Sequence, residues 1–308
     1  MKIQFLLFSE GSSHKLLGLN VVKGLKSLGI RTEFFWPKTK IGSLLDNPDY
    51  VFCLKPSEND DLVKFFKKKG SKLCLVVNDQ KISKERQIVY DFAVASSIES
   101  LSTYDLDTFL VKEEFDYCEQ KQHNSSFKIV TTGYKENLVN HLPEVLKQLE
   151  GLDITIISNF EESYELPKIF YKFKMKNILV PSIFNCDYDK ILIKQFSEYD
   201  VGFVTQYKFC GRSSNRLKEL LYAGLPVVTN FENNYEKIWF NKYKVILRQV
   251  SEDWKQKILE LNDVCIRQDI SDENFDVIKN NYGYESSAKS FLRAISLFEK
   301  SKARRFLI

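Results

Sequence analysis

The residues best suited to chemistry crowd into one stretch, FCGRSSNRLKELLYAGLPVVTN, running from Phe209 to Asn230. Just before it, the apolar run DVGFVT ends at Thr205 and reads as a strand. A loop over Gln206–Ser213, a helix over Ser214–Ala223 and a strand over Pro226–Thr229 follow. In an open parallel α/β sheet, ligands sit outside the carboxyl ends of the strands. The loop and the helix start are therefore expected to face a ligand. Arg212, Ser213, Ser214, Asn215 and Arg216 stand consecutively there. They bring two guanidiniums, hydroxyl and amide donors and free backbone N–H groups to the positive end of a helix dipole, which is what a pyrophosphate requires. Glu219 follows one turn later and can accept hydrogen bonds from sugar hydroxyls. The same spacing also suits a surface Arg216–Glu219 pair, which is worth only a few tenths of a kcal/mol.

These residues need a scaffold, and the rest of the chain spells one. Apolar runs without period-2 alternation occur at Ile3–Phe8, Thr32–Trp36, Tyr50–Leu54, Lys72–Val77, Phe92–Ser96 and Thr108–Val111. Helical stretches lie between them, one over KLLGLNVVKGLKSLG and one over Asp60–Lys69, each closed by a glycine. This pattern describes parallel strands covered on both faces. A polar segment, Glu113–Ser126, reads as a linker, after which the pattern restarts. Strands are expected at Phe127–Thr131, Asp153–Ser158, Asn177–Val180 and Asp200–Thr205, with helices at Leu138–Glu150 and Asp187–Ser197. A last helix over Tyr284–Leu307 carries Ala288, Phe291, Leu292, Ile295 and Phe298 at helical spacing. The expected fold is α/β, with two Rossmann-like domains facing each other across a cleft. The first spans residues 1–122 and the second 123–284, and the helix 285–308 packs back on the first.

The segment NRLKELLYAGLPVVTN resembles the nucleotide-binding signature of GT-B glycosyltransferases, particularly the family-4-like group. In that group a glutamate stands five residues before the glycine of a GxPVV turn. Here those positions are Glu219 and Gly224, followed by Leu225–Val228. The run SSNR before the helix also resembles polysaccharide-assembling members. The resemblance implies that Glu219 binds the nucleotide ribose and that Ser213, Ser214 and Asn215, with Arg216 beside them, hold the diphosphate. It further implies that Gly133, Tyr134 and Lys135 in TTGYKEN close over the phosphates, and that backbone groups of VPSIF, around Pro181 and Ile183, meet the base. Taken alone, Lys135 reads as an ordinary exposed lysine. The sequence departs from the family pattern at Gly211, where many relatives place the first carboxylate of an E-x7-E pair. Lys208 or Arg212 would then meet the donor sugar. The likeness holds in order and spacing over about Phe127–Phe298, and in residue types only over Cys210–Asn230.

On the acceptor side, the first strand–helix junction, SEGSSHK, offers Glu10, Gly11 and His14. A histidine titrating near neutrality suits a general base, and Asp79, just past the strand Lys72–Val77, is the stronger carboxylate for that role. A retaining route, weakly preferred, would instead lean on Arg212, Lys135 and the helix dipole to stabilise the leaving group. The resemblance implies catalysis without a metal. No cofactor is expected beyond the nucleotide-diphosphate sugar used as substrate.

The function expected is transfer of a hexose-type sugar to a hydroxyl acceptor, a glycan or lipid-linked acceptor in surface polysaccharide assembly. A non-catalytic nucleotide-sugar or glycan-binding protein and a sugar-nucleotide epimerase remain the alternatives. Charged residues make up 28% and the net charge is only +4 across 308 residues, with no basic stripe interleaved with aromatics, which disfavours nucleic acid. The six cysteines are scattered with no CxxC, a pattern of reducing compartments. The apolar run near the start is too short for a secretory leader, and no stretch approaches the roughly 20 apolar residues of a membrane span. A cytoplasmic location is expected. The basic end, KSKARRFLI, suits either a solvated helix terminus or a peripheral contact with anionic membrane.

Overall fold

The computed structural model describes residues 1–8, 14–56, 61–77, 82–97, 99–102, 104–160, 165–205, 215–230 and 235–305. The described chain divides into two compact units, one holding residues 1–116 and 282–305 and the other 117–205 and 215–281.

The first unit is a seven-stranded sheet in the order β3-β2-β1-β4-β5-β6-β7. Its strands are β1 Lys2–Leu7, β2 Arg31–Trp36, β3 Ile41–Gly42, β4 Tyr50–Leu54, β5 Lys72–Val77, β6 Phe92–Ala95 and β7 Thr108–Leu110. All pairings are parallel except β2 with the short β3. A π-helical turn, Lys15–Leu19, leads into α1, Asn20–Ser27; α2 (Asp61–Lys68) and α3 (Lys84–Gln87) follow. The central strands β4 and β6 are buried along their whole length. That explains why their sequences lack alternation: both faces are covered.

The second unit is a six-stranded, wholly parallel sheet in the order β10-β9-β8-β11-β12-β13. Its strands are β8 Ile129–Thr132, β9 Ile154–Ser158, β10 Lys174–Asn177, β11 Val201–Val204, β12 Val227–Thr229 and β13 Arg248–Gln249. Its helices are α4 Lys135–His141, α5 Pro143–Gln148, α6 Tyr188–Lys194, α7 Asn215–Tyr222, α8 Tyr235–Tyr243, α9 Trp254–Leu259 and α10 Val264–Asn281. One face of the sheet packs Ile129, Phe203 and Val228 against Leu138, Leu142, Leu146 and Trp254.

Three sequence expectations shift. The helix expected over Leu138–Glu150 is two helices, because Pro143 starts a new one at its first position. The strand expected at Asn177–Val180 lies at Lys174–Asn177, an exposed edge, while Leu179 and Val180 stay in solvent. The polar segment Glu113–Ser126 is packed rather than a free linker, and the division falls after Asp116, not after residue 122. Hydrogen bonds tie it to the second unit. The Glu119 N–H donates to the Tyr222 carbonyl at 2.7 Å, and Lys121 Nζ to the Ser197 carbonyl at 2.6 Å.

Helix α11, Tyr284–Arg305, belongs to the first unit. Ser287 and Ser290 accept the Glu114 and Lys112 backbone N–H groups, and Phe291 and Phe298 join Phe5, Phe52 and Phe92 in one aromatic cluster.

Candidate active site

In the second unit the strand order reverses between β8 and β11, so a crevice is expected at the carboxyl ends of these two strands. The chain builds this end from three segments. After β8, the Gly133 carbonyl accepts from Ser158 Oγ at 2.7 Å, and a Cβ on Gly133 would come within 2.7 Å of Leu138. The absent side chain lets α4 fold back tightly over the strand end. Asn159 Oδ1 accepts the Lys135 N–H at 2.9 Å and so fixes the turn. Tyr134, in extended conformation, directs an exposed ring outward (45% exposed). Lys135 is only 4% exposed, which corrects its reading as an ordinary exposed lysine.

The second segment leads into α6. Ile183 is buried and Pro181 half-buried. Tyr188, which the sequence reading did not single out, opens α6 fully buried beside Asp189. Only its position on the helix start following VPSIF hinted at it.

The third segment is α7. Gly202 in β11 lacks a Cβ that would otherwise press to 2.9 Å from Leu220, so the helix seats close to the sheet. Leu217, Leu220 and Leu221 form its buried stripe. Gly224, at φ +75°, terminates it against the chain at Glu119 and Lys121. On the remaining face Arg216 Nη1 donates to both Glu219 oxygens, at 2.6 and 2.7 Å. This is not the surface pair that the spacing also allowed. The Glu219 side chain is 1% exposed and that of Arg216 16%. The guanidinium also lies over the Tyr134 ring, 4.6 Å from its centroid.

Electrostatics bind the cluster together. Burial pushes the Glu219 carboxyl up, and the Arg216 guanidinium opposes that shift. Burial works to lower Arg216, but the Glu219 carboxylate outweighs it and the guanidinium is held more firmly charged. The Tyr188 hydroxyl is raised by burial first, then by the charges of Glu219 and Asp189. Thr132 and Thr229, at the ends of β8 and β12, bury hydroxyls that have no hydrogen-bond partner among the described residues. The strand ends thus gather a buried ion pair, an aromatic face and spare hydroxyls, a polar set suited to a phosphorylated, hydroxyl-bearing ligand.

Of the sequence-predicted residues, the structure brings together Tyr134, Arg216 and Glu219. Gly133, Lys135 and Asn215 stand next to them in the chain, and Pro181 and Ile183 lie on the approach to α6. Glu10, Gly11, Asp79, Lys208, Arg212, Ser213 and Ser214 lie outside the described residues, as does Gly211. His14, expected to face an acceptor, is fully buried in the first unit at the start of the π-helical turn. No cluster of three or more His, Cys, Asp or Glu able to hold a metal occurs among the described residues. A shallow cavity of about 340 Å³ lined by Glu150, Asp153 and Lys172 opens before β9, at the opposite end of that strand. Its charges are taken up by the pairs Lys172–Glu150 and Lys174–Asp153.

No family model matches the chain, and no curated protein sequence matches it. Solved structures do. A glycosyltransferase from Rickettsia africae matches with a TM-score of 0.66 at 14% identity, over 97% of this chain and 98% of that one. An alpha-glucosyltransferase in complex with UDP matches with a TM-score of 0.62 at 10% identity, over 97% of this chain and all of that one. The lipopolysaccharide outer core galactosyltransferase WaaB matches with a TM-score of 0.59 at 14% identity, over 96% of this chain and 99% of that one. At such identities the likeness is one of fold. The chain has the GT-B fold of these glycosyltransferases, two Rossmann-like units in one polypeptide.

Proposed function

We propose that this protein is a glycosyltransferase that takes a hexose-type sugar from a nucleotide diphosphate, with UDP as the carrier, and passes it to a hydroxyl acceptor. The Tyr134–Arg216–Glu219 cluster at the carboxyl ends of β8 and β11 carries this reading. It stands where a doubly wound sheet binds its ligand, and UDP is the ligand in a structure of the same fold. Arg212, Lys208 and Lys135 are the cations proposed to stabilise the departing diphosphate without a metal, and Asp79 is the proposed acceptor-side base. The acceptor is proposed to be a growing surface glycan, met in the cytoplasm or at the inner face of a membrane. No disulfide joins the described cysteines, in keeping with a reducing compartment, and no described helix is long and apolar enough to cross a membrane.

Gly211 in place of a family carboxylate favours one second reading, a nucleotide-sugar binder that transfers nothing. Titration with UDP, GDP, ADP and their sugar conjugates, read by thermal shift and by release of free nucleotide, separates the two. Stabilisation by UDP and slow hydrolysis of a UDP-sugar are expected for the enzyme. Stabilisation without hydrolysis or transfer points to the binder, and no response to any nucleotide diphosphate sinks both.

A further inference from the structure

The basic end of the chain and the short lysine-rich helix α2 are far apart in sequence, yet the first unit brings them to one edge of its sheet. We infer that α2 and this edge form a docking surface for an anionic lipid bilayer. Phe65 and Ile88 enter the headgroup layer, and the lysines around them meet lipid phosphates.

Five lysines, Lys64, Lys67, Lys68, Lys69 and Lys72, fall within nine positions. Helix α2 turns Val63 and Phe66 into the core, so helical spacing sends Lys64, Phe65 and Lys68 outward. Phe65 is 49% exposed, with Lys69 Nζ 5.6 Å from its ring centroid. Ile88, just past α3, is 82% exposed. Ile82 and Tyr90 on either side of it join the same core cluster as Val63 and Phe66, so Ile88 emerges on the same face of the sheet. A single exposed apolar residue is ordinary on a protein surface. Two bulky ones among lysines on one face are what an interfacial contact requires, because the apolar groups leave water while the ammoniums stay with the headgroups.

Charge selects the kind of bilayer. Asp91 receives Lys67 Nζ at 2.9 Å, Lys302 Nζ of α11 at 3.9 Å and the Leu73 N–H at 2.8 Å. Glu299 accepts the Tyr50 hydroxyl at 2.6 Å. Lys64 and Lys68 are exposed and form no ion pair among the described residues. With Lys302 the lysines number six, against the carboxylates of Asp61, Asp91 and Glu299. The excess is felt locally: burial first, then the charge of Lys72, push the Lys302 ammonium below the ordinary lysine range. A basic cluster of this size on an amphipathic helix suits anionic headgroups. A soluble polyanion would meet the same charges but gives no reason for Phe65 and Ile88 to stand in water. The edge where Lys72 and Asp91 lie is the amino-terminal one, where β5 and β6 begin. Docking there leaves free the carboxyl ends of the strands, where α/β sheets bind their ligands.

Flotation of the full chain is measured with vesicles of phosphatidylcholine holding about one-third phosphatidylglycerol, and with vesicles of phosphatidylcholine alone. Wild type is expected to float with the anionic vesicles only, and less as salt rises. The variant Lys64→Gln/Lys68→Gln/Lys69→Gln is expected to bind about 100-fold more weakly, because each lysine near an anionic surface contributes roughly fivefold. Phe65→Ser is expected to lose about fivefold. All these side chains are exposed, so unchanged thermal unfolding is expected and separates lost docking from lost folding.

Equal flotation of the triple variant and wild type overturns the surface, as does equal flotation with both kinds of vesicle. Loss confined to an Arg304→Gln/Arg305→Gln variant moves the contact to the chain end alone and overturns it too. Binding to heparin with none to vesicles makes the patch a polyanion site instead. None of these readouts uses a nucleotide, so this surface and the nucleotide-sugar reading stand or fall separately.

Discussion

Ser271, His123 and Asp200 stand in the order of a hydrolytic triad, with His123 Nε2 2.8 Å from Ser271 Oγ and Nδ1 3.9 Å from Asp200 Oδ1. All three are buried, and Ser271 Oγ donates to the Gly224 carbonyl at 2.8 Å, so its proton is already committed. The contact to Asp200 is also too long for the hydrogen bond that orients a catalytic imidazole. The cluster fastens the end of α7 to α10. Burial, then the charges of Lys121 and Arg267, push His123 down to about 4. An unfolded histidine titrates near 6.5. Between these values the unfolded chain binds more protons than the folded one, so stability must fall as pH drops through that window. The expected loss from this one group between pH 7 and 5 is on the order of 1 kcal/mol. Urea midpoints at the two pH values should differ less in His123→Asn than in wild type; an equal difference would mean that His123 contributes nothing to it.

Glu219 shows the limit of sequence at this scale. Its type and spacing marked it as functional, but three-residue spacing fits a solvated pair as well as a buried one. Lys135 is parallel: as a lysine at a helix start it reads as exposed, and only the packed neighbours bury it.

Among the elements, α7 and the turn behind it couple stability to the site. Gly224 is held at φ +75°, and a Cβ there would come within 2.8 Å of both the Glu119 carbonyl and Lys121 Cβ. Gly224→Ala is expected to cost about 2 kcal/mol in thermal unfolding. It should also weaken UDP binding, because relief of the clash displaces the end of the helix that carries Arg216 and Glu219. A variant as stable as wild type would show that the turn relaxes freely.

Most of the elements were legible, since unalternating apolar runs such as YVFCL and KLCLVV have no other soluble home than a covered sheet. The misses have local causes. Lys174–Asn177 is an edge strand with no buried residue to mark it. The helices Tyr235–Tyr243 and Val264–Asn281 have weakly segregated apolar faces and left no periodic signal in the reading.

At the scale of the molecule, each unit carries its own core. In the first, Phe92 and Phe298 stack at 4.3 Å and Phe5, Phe52 and Phe291 pack around them, so the last helix completes a core begun at residue 3. Gly24 permits this, because a Cβ there would strike the Tyr284 carbonyl of α11. Truncation of such a ring typically costs 3–5 kcal/mol, and Phe298→Ala is expected to cost about that much. Hydrogen exchange should then quicken across β1, β4 and β6, while β8, β9 and β11 of the second unit keep their protection. Equal loss in both sheets would show that the units unfold as one.

The sequence by itself determined that this chain forms two parallel α/β units, because covered strands must be apolar on both faces. It also marked a stretch of consecutive polar donors, Arg212 to Arg216, as the expected ligand-facing helix start, because those donors are adjacent in the chain. Tertiary structure alone decided that the polar stretch after Asp116 is packed, that Lys135 and His14 are buried, and that Tyr134 caps the Arg216–Glu219 pair. Exposure and pairing of a polar side chain depend on neighbours brought from distant strands, and no local pattern of residue types encodes those neighbours.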